Sequence, residues 1–215
     1  MYYIYMYIIL VRHGQTDLNA QDITQGSEVD PPINNLGKKQ AKLTGKYLSK
    51  YFKINKIYSS PLLRAKQTAN LIASQLNYKK NIILENNLKE QKKGIFSGLK
   101  KKEVNKIIKK NKTLNRIDKL FDKNNINFLI KYNKYIKQWS KIIKSENIEE
   151  ITSRCIRIFN KIKKNKGNVL VVSHGSFIKF LVSKLTNINN HFIPCNIVKN
   201  SSPNCHITII QIVDN

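Results

Sequence analysis

Two apolar runs, Ile8-Ile9-Leu10-Val11 and Val169-Leu170-Val171-Val172, constrain the fold of this chain more than any other feature. Neither alternates polar with apolar residues, and both are rich in β-branched side chains. That pattern belongs to strands buried on both faces, in a sheet with helices packed on each side. Elsewhere apolar residues recur at helical spacing: Ala41, Leu48 and Phe52; Leu62, Ala65, Ala69, Ile72 and Leu76; Ile151, Cys155, Ile158 and Ile162; Ile178, Leu181, Val182 and Leu185. Strands alternating with helices predict an α/β chain with a mainly parallel sheet. At 215 residues it has the size of one domain.

Both runs end in the same way. The first continues into Arg12-His13-Gly14-Gln15-Thr16, the second into Ser173-His174-Gly175. In an open α/β sheet, ligands bind beyond the carboxyl ends of the strands. A permanently charged guanidinium and an imidazole therefore meet at the mouth of a crevice, as an anion site containing a nucleophile. A polar loop over residues 19–35 and a helix from Leu36 to about Phe52 follow. A short strand at Lys56-Ile57-Tyr58 then leads to Ser60, expected as a helix N-cap with Pro61 at the first helical position. Asn81 to Leu84 reads as a third short strand. Residues 99–111 read as a lysine-rich helix, 111–125 give no clear pattern, and Ile126 to Ile143 suggest a long helix. The helix over Ile151 to Ile162 is expected to end at Gly167. The last strands are expected at about 196–199 and 205–213, joined by a turn at Ser201 to Asn204, which makes at least one strand antiparallel.

The ordered set Arg12-His13-Gly14-x-Thr16, Asn19, Gln25-Gly26, Gly37, Gln40-Ala41, Ser59-Ser60-Pro61-x-x-Arg64-Ala65-x-Gln67-Thr68-Ala69, Glu90 and His174-Gly175 resembles the histidine phosphatase superfamily, phosphoglycerate-mutase-like branch. The resemblance covers nearly the whole chain. It departs at Gln25-Gly26-x-x-x-Asp30, which is one residue longer than the family spacing. It implies a three-layer α/β/α sandwich around a mixed, mostly parallel six-stranded sheet, formed by a single domain over 1–215. The segment at about 99–147 would be a helical cap inserted beside the site. The implied reaction is metal-independent and cofactor-free hydrolysis of phosphate monoesters through a phosphohistidine on His13. Arg12, Arg64 and His174 would stabilise the phosphoryl group, with His174 serving best as an imidazolium stabilised by the bound dianion, and Glu90 would be the proton donor. Thr16, Asn19, Gln25, Gly26 and Gly175 would contact the substrate, with Gly175 bringing a helix N-terminus to the phosphate. Arginine suits such a site because its rigid fork engages two oxygens and keeps its charge.

The same resemblance implies phosphorylated small-molecule substrates. Its first rival is a cofactor-dependent phosphoglycerate mutase. Mutases carry Glu-Arg-His-Tyr-Gly around the acid, where this chain has Glu90-Gln91-Lys92-Lys93-Gly94, so the phosphatase is the expected member. The rival of another class is a non-catalytic basic scaffold for nucleic acid or acidic proteins. Thirty-nine Lys and Arg against 13 Asp and Glu give a net charge of +26, a field that draws anions of every kind. No aromatic-interleaved recognition motif accompanies the lysines, so they are read as a solvated coat and specific nucleic-acid binding is not expected. His191, Cys195, Cys205 and His206 hint at zinc. Neighbours on a strand point to opposite faces, however, and packing is the expected role. Three scattered cysteines fit a reducing, cytoplasmic compartment. The apolar start is too short to span a bilayer, no membrane association is expected, and Met6 is an alternative start.

Overall fold

The computed structural model of the protein describes residues 5–121, 133–185 and 203–213. Among them the chain runs β1 (Tyr5–Arg12), α1 (Asp17–Ala20), α2 (Asn35–Tyr51), β2 (Ile54–Ser59), α3 (Leu63–Gln75) and β3 (Ile83–Leu84). Two 3-10 turns, Asn86–Leu88 and Gly94–Phe96, precede α4 (Lys101–Lys110), α5 (Lys112–Phe121), α6 (Asn133–Ile143) and α7 (Ile148–Ile162). The chain closes with β4 (Asn168–Ser173), α8 (Gly175–Leu185) and β5 (Ile207–Val213). The described residues hold a five-stranded mixed sheet in the order β3-β2-β4-β1-β5, with β5 antiparallel to β1 and the other pairs parallel. The strand expected at 196–199 lies outside the described residues, as does much of the expected turn before β5.

Each central strand feeds two cores, which is why its sequence is apolar without a break. Ile8 and Leu10 of β1, with Val169 and Val171 of β4, meet Ile151, Cys155, Ile158 and Ile162 of α7 and Phe177 and Leu181 of α8. Ile9 and Val11, with Leu170 and Val172, face the other way onto Ala41 and Leu48 of α2 and Ala65, Ala69 and Ile72 of α3. The result is a helix–sheet–helix sandwich. A third, smaller cluster joins Phe96, Ile108, Leu114 and Ile143 with partly buried Val104, Ile107, Trp139 and Ile142, so α4, α5 and α6 share a core apart from the sheet.

Two local expectations are corrected. The third helix begins at Leu63, not at Pro61, and Ser60 is not its cap. The remote Asp30 caps it instead, Oδ2 accepting from Leu63 N–H at 2.7 Å, because Ser60 Oγ is engaged elsewhere. The seventh helix ends at Ile162. Gly167 lies beyond it in the left-handed region, in the turn into β4, where a Cβ would stand 2.4 Å from Asn55 Oδ1.

Candidate active site

Register alone brings the two His-Gly motifs together. β1 and β4 are parallel neighbours with Arg12 opposite Ser173, so the next residues, His13 and His174, leave the sheet side by side. Their ring centroids are 5.2 Å apart. β2 flanks β4 with Ser59 opposite Val172, which puts Ser60 beside the same strand end. Three strand ends thus converge where the strand order reverses, as the crevice rule requires.

Gly14 lets the chain leave β1 tightly. A Cβ there would stand 2.6 Å from the Gly37 carbonyl oxygen, and one on Gly37 would stand 2.2 Å from that of Gln15. The start of α2 therefore packs backbone to backbone against the turn that follows β1. Gly14 N–H donates to Thr68 Oγ1 on α3 at 2.9 Å, and Thr68 donates to the Arg64 carbonyl at 2.7 Å.

His13 Nδ1 lies 2.8 Å from the Gly14 carbonyl oxygen. A carbonyl can only accept, so Nδ1 carries the proton and Nε2 keeps its lone pair. Burial first, then the charges of Arg64 and Arg12, hold the His13 pKa well below the usual imidazole value, so the ring is neutral. His174 is fully buried and is held low by the same causes, burial foremost. The ring is therefore neutral in this structure, because burial and then the nearby guanidiniums disfavour a further positive charge. Its Nε2 lies 2.8 Å from Ser60 Oγ, and its Nδ1 has no partner among the described residues.

Arg64, at the start of α3, is wholly buried. Nη1 donates to the Val29 carbonyl and to Asp30 Oδ1, at 2.9 and 3.2 Å, and Nη2 to the Gly26 carbonyl at 2.7 Å. Of its five N–H groups, the one on Nε and one on Nη2 remain; Nε is buried with no partner among the described residues. Arg64 thus ties down the 26–30 loop while keeping donors for an anion. Arg12 is partly buried, which lowers its pKa against the raising effect of Glu90. A Cβ on Gly175 would lie 3.4 Å from Arg12 Nε, an ordinary van der Waals contact, so the start of α8 runs close beside the guanidinium.

Glu90 reaches the same place from the loop after β3. Its Oε2 accepts from Ser176 N–H and its Oε1 from Phe177 N–H, both at 3.2 Å, and Oε1 also accepts from Gln91 N–H at 2.8 Å. The N-terminus of α8 was expected to face the phosphate; two of its N–H groups hold the Glu90 carboxylate instead. Of the remaining anticipated contacts, Thr16 is fully buried, caps α1 and exchanges hydrogen bonds with Asn19. Asn19 Oδ1 also accepts from Thr16 N–H and from Asn204 Nδ2, at 3.2 Å each, which leaves its own amide N–H groups for other partners. Gln25 is buried with Oε1 unpaired among the described residues, and Gly26 takes a positive φ and bonds Arg64.

Sequence reading missed three contributors. Asn204 donates to the His13 carbonyl at 3.1 Å from the turn before β5. Ser60 bonds His174. Arg154, on α7, forms a two-point ion pair with Glu146 at 2.6 and 2.8 Å and donates to the Asn87 and Lys89 carbonyls at 2.9 and 2.6 Å, bracing the segment that carries Glu90. Only Arg154 left a signal: it lies on the apolar stripe of its helix, where a solvated arginine has no place. Of the residues weighed for zinc, His191 and Cys195 lie outside the described residues, while Cys205 is buried and His206 exposed.

The family model described as histidine phosphatase superfamily (branch 1) matches residues 8–215. Phosphoglycerate mutase-like protein 4 of Arabidopsis thaliana is 31% identical over 84% of this chain and 71% of its own length. The phosphatase PhoE of Bacillus subtilis is 31% identical over 83% and 77%. Among solved structures, a phosphoglycerate mutase from Bacillus anthracis superposes with a TM-score of 0.73 at 25% identity, covering 98% of this chain and 89% of that one. With two histidines on adjoining strand ends and a buried arginine keeping donors for an anion, this chain belongs to branch 1 of the histidine phosphatase superfamily.

Proposed function

We propose that the protein is a metal-independent phosphatase that hydrolyses phosphate monoesters of small metabolites through a phosphohistidine on His13. One observation carries this reading: the hydrogen bond from His13 Nδ1 to the Gly14 carbonyl, which leaves the Nε2 lone pair free on a neutral ring 5.2 Å from that of His174 and within the field of Arg64. In the first step Nε2 attacks phosphorus, the ester P–O bond breaks, and Glu90 gives its proton to the departing oxygen. In the second, Glu90 takes a proton from water, water oxygen bonds phosphorus, and the P–N bond breaks with its electron pair returning to Nε2. Arg12, Arg64 and His174 donate to the equatorial oxygens, where charge spreads during transfer. We assign the segment at 99–147 as the cap; the separate apolar cluster of α4, α5 and α6 supports that assignment.

The phosphatase is favoured over the mutase by the wording and wiring around Glu90. Gln91 is tied into the protein, Nε2 donating to the Glu146 carbonyl at 3.1 Å and Oε1 accepting from Lys93 Nζ at 2.7 Å. Lys93 Nζ also donates to Ser176 Oγ at 3.1 Å. Neither side chain supplies the grip of the Arg, His and Tyr found there in mutases. Among the described residues no helix is long and apolar enough to cross a membrane, and the buried cysteines Cys155 and Cys205 are free thiols. Those thiols support a reducing compartment such as the cytoplasm.

The test is turnover of p-nitrophenyl phosphate by the wild type and by His13→Ala. A loss of at least about 10³-fold is expected; retained turnover would exclude His13 as the nucleophile, and a wild type without turnover would leave the basic scaffold. Incubation with 3-phosphoglycerate and 2,3-bisphosphoglycerate should release free phosphate. Accumulation of 2-phosphoglycerate would instead identify a mutase.

A further inference from the structure

Ser60 is a buried polar group to which the scheme above gives no task. Its side chain is wholly enclosed at the end of β2, with Oγ 2.8 Å from His174 Nε2 and 3.3 Å from the Leu62 nitrogen. A serine hydroxyl has one proton to donate and two lone pairs. The Leu62 N–H can only donate, so it takes a lone pair. The hydroxyl proton then has one acceptor among the described residues, the His174 Nε2 lone pair.

The opposite arrangement leaves more groups unsatisfied. If Nε2 carried the ring proton, it would donate to Oγ and the serine proton would be buried without an acceptor. His174 Nδ1, which has no partner among the described residues, would then present a bare lone pair to an incoming anion. With Ser60 as the donor, Nδ1 carries the proton and becomes a hydrogen-bond donor at the site while the ring stays uncharged. Resting on the phosphoryl-transfer reading of this site, we propose that Ser60 is a positioning residue that fixes His174 as the Nδ1–H tautomer. Neutral His174 can then bond a phosphoryl oxygen before any protonation. Arg12 and Arg64 supply the charge, and His174 supplies direction.

The experiment is two-bond proton–nitrogen correlation NMR on the full chain labelled with ¹⁵N-histidine, paired with p-nitrophenyl phosphate kinetics. In the wild type His174 should show a protonated Nδ1 and an unprotonated Nε2. Ser60→Ala should move the ring toward the Nε2–H form and lower kcat by about 10- to 100-fold, less than the loss of a whole donor, with KM changing less. Ser60→Thr, which keeps the hydroxyl, should restore both the tautomer and most of kcat. A wild-type His174 protonated at Nε2 would overturn the proposal by itself, whether or not either variant folds. So would an unchanged tautomer in folded Ser60→Ala. Turnover by His13→Ala alongside the anticipated His174 tautomer would sink the phosphohistidine reading instead, so the two failures are distinct.

Discussion

His13, His174 and Ser60 stand on the ends of three neighbouring strands, whereas Glu90 stands on a loop between two 3-10 turns. The first group is positioned by sheet register and by a glycine pair, with the three strands buried on both faces at their carboxyl-terminal halves. The second depends on side chains from distant segments. Arg154 and Glu146 hold the loop from one side, and the first N–H groups of α8 hold the carboxylate from the other. The two regions are held by different means. In the proposed mechanism the part that would present a fixed constellation to a tetrahedral anion is built into the sheet, and the part that would pass a proton back and forth sits on a loop held by side chains and helix N–H groups.

The largest expected break in that comparison comes from Glu90→Gln. On an alkyl phosphate, whose leaving oxygen needs a proton, kcat should fall about 10²- to 10⁴-fold. With p-nitrophenyl phosphate, whose leaving group departs unaided, the loss should be smaller and confined to hydrolysis of the intermediate. Inhibition by inorganic phosphate should change little, because the strand-end donors remain. Equal losses on both substrates would mean that Glu90 serves hydrolysis of the intermediate and not protonation of the leaving oxygen.

Arg154→Met sharpens the same contrast from a distance. It leaves Glu146 without its partner where both side chains are mostly buried, at 11% and 15% exposed. Removing one member of such a pair should cost about 3 kcal/mol in urea unfolding. It should also lower kcat toward the Glu90→Gln value while leaving phosphate inhibition near wild type. A stability loss without any effect on kcat would restrict Arg154 to the core.

A smaller effect separates the strand-end histidines by pH. Both have folded-state pKa values well below the ordinary imidazole value near 6.5. Below about pH 6.5 the unfolded chain therefore binds protons that the folded chain refuses, and stability falls as pH drops toward the folded values. Above that pH these two groups contribute no slope. Thermal unfolding at pH 5.5 and 7.5 should show a drop in Tm on acidification that shrinks in His174→Asn; an unchanged drop would assign it to other groups.

The division also explains what the sequence revealed. The strand ends were legible because residues 8–14 and 169–175 carry both the apolar run and the chemistry, and because parallel neighbours in register bring equivalent positions together. Arg64 was legible as a helix-start arginine, but not its grip on the carbonyls of Gly26 and Val29, which spans more than thirty residues. Ser60 was misread as a helix cap because a Ser-Pro pair before an apolar stripe is a sound local signal. A hydrogen bond to a histidine 114 positions away outweighed it. Glu90 was found by family pattern, whereas Arg154, Glu146 and the α8 N–H groups that aim it involve separations no local periodicity records.

In the proposed mechanism every step depends on His13 Nε2 accepting the phosphoryl group. Rapid quenching of Glu90→Gln with excess p-nitrophenyl phosphate, followed by peptide mass spectrometry, tests this directly, since transfer proceeds while hydrolysis lacks its base. An acid-labile, alkali-stable phosphoryl group on His13, approaching one per chain and missing in the His13→Ala double variant, is the predicted result. Phosphate carried by any other residue, or turnover that continues with His13 removed, would contradict it.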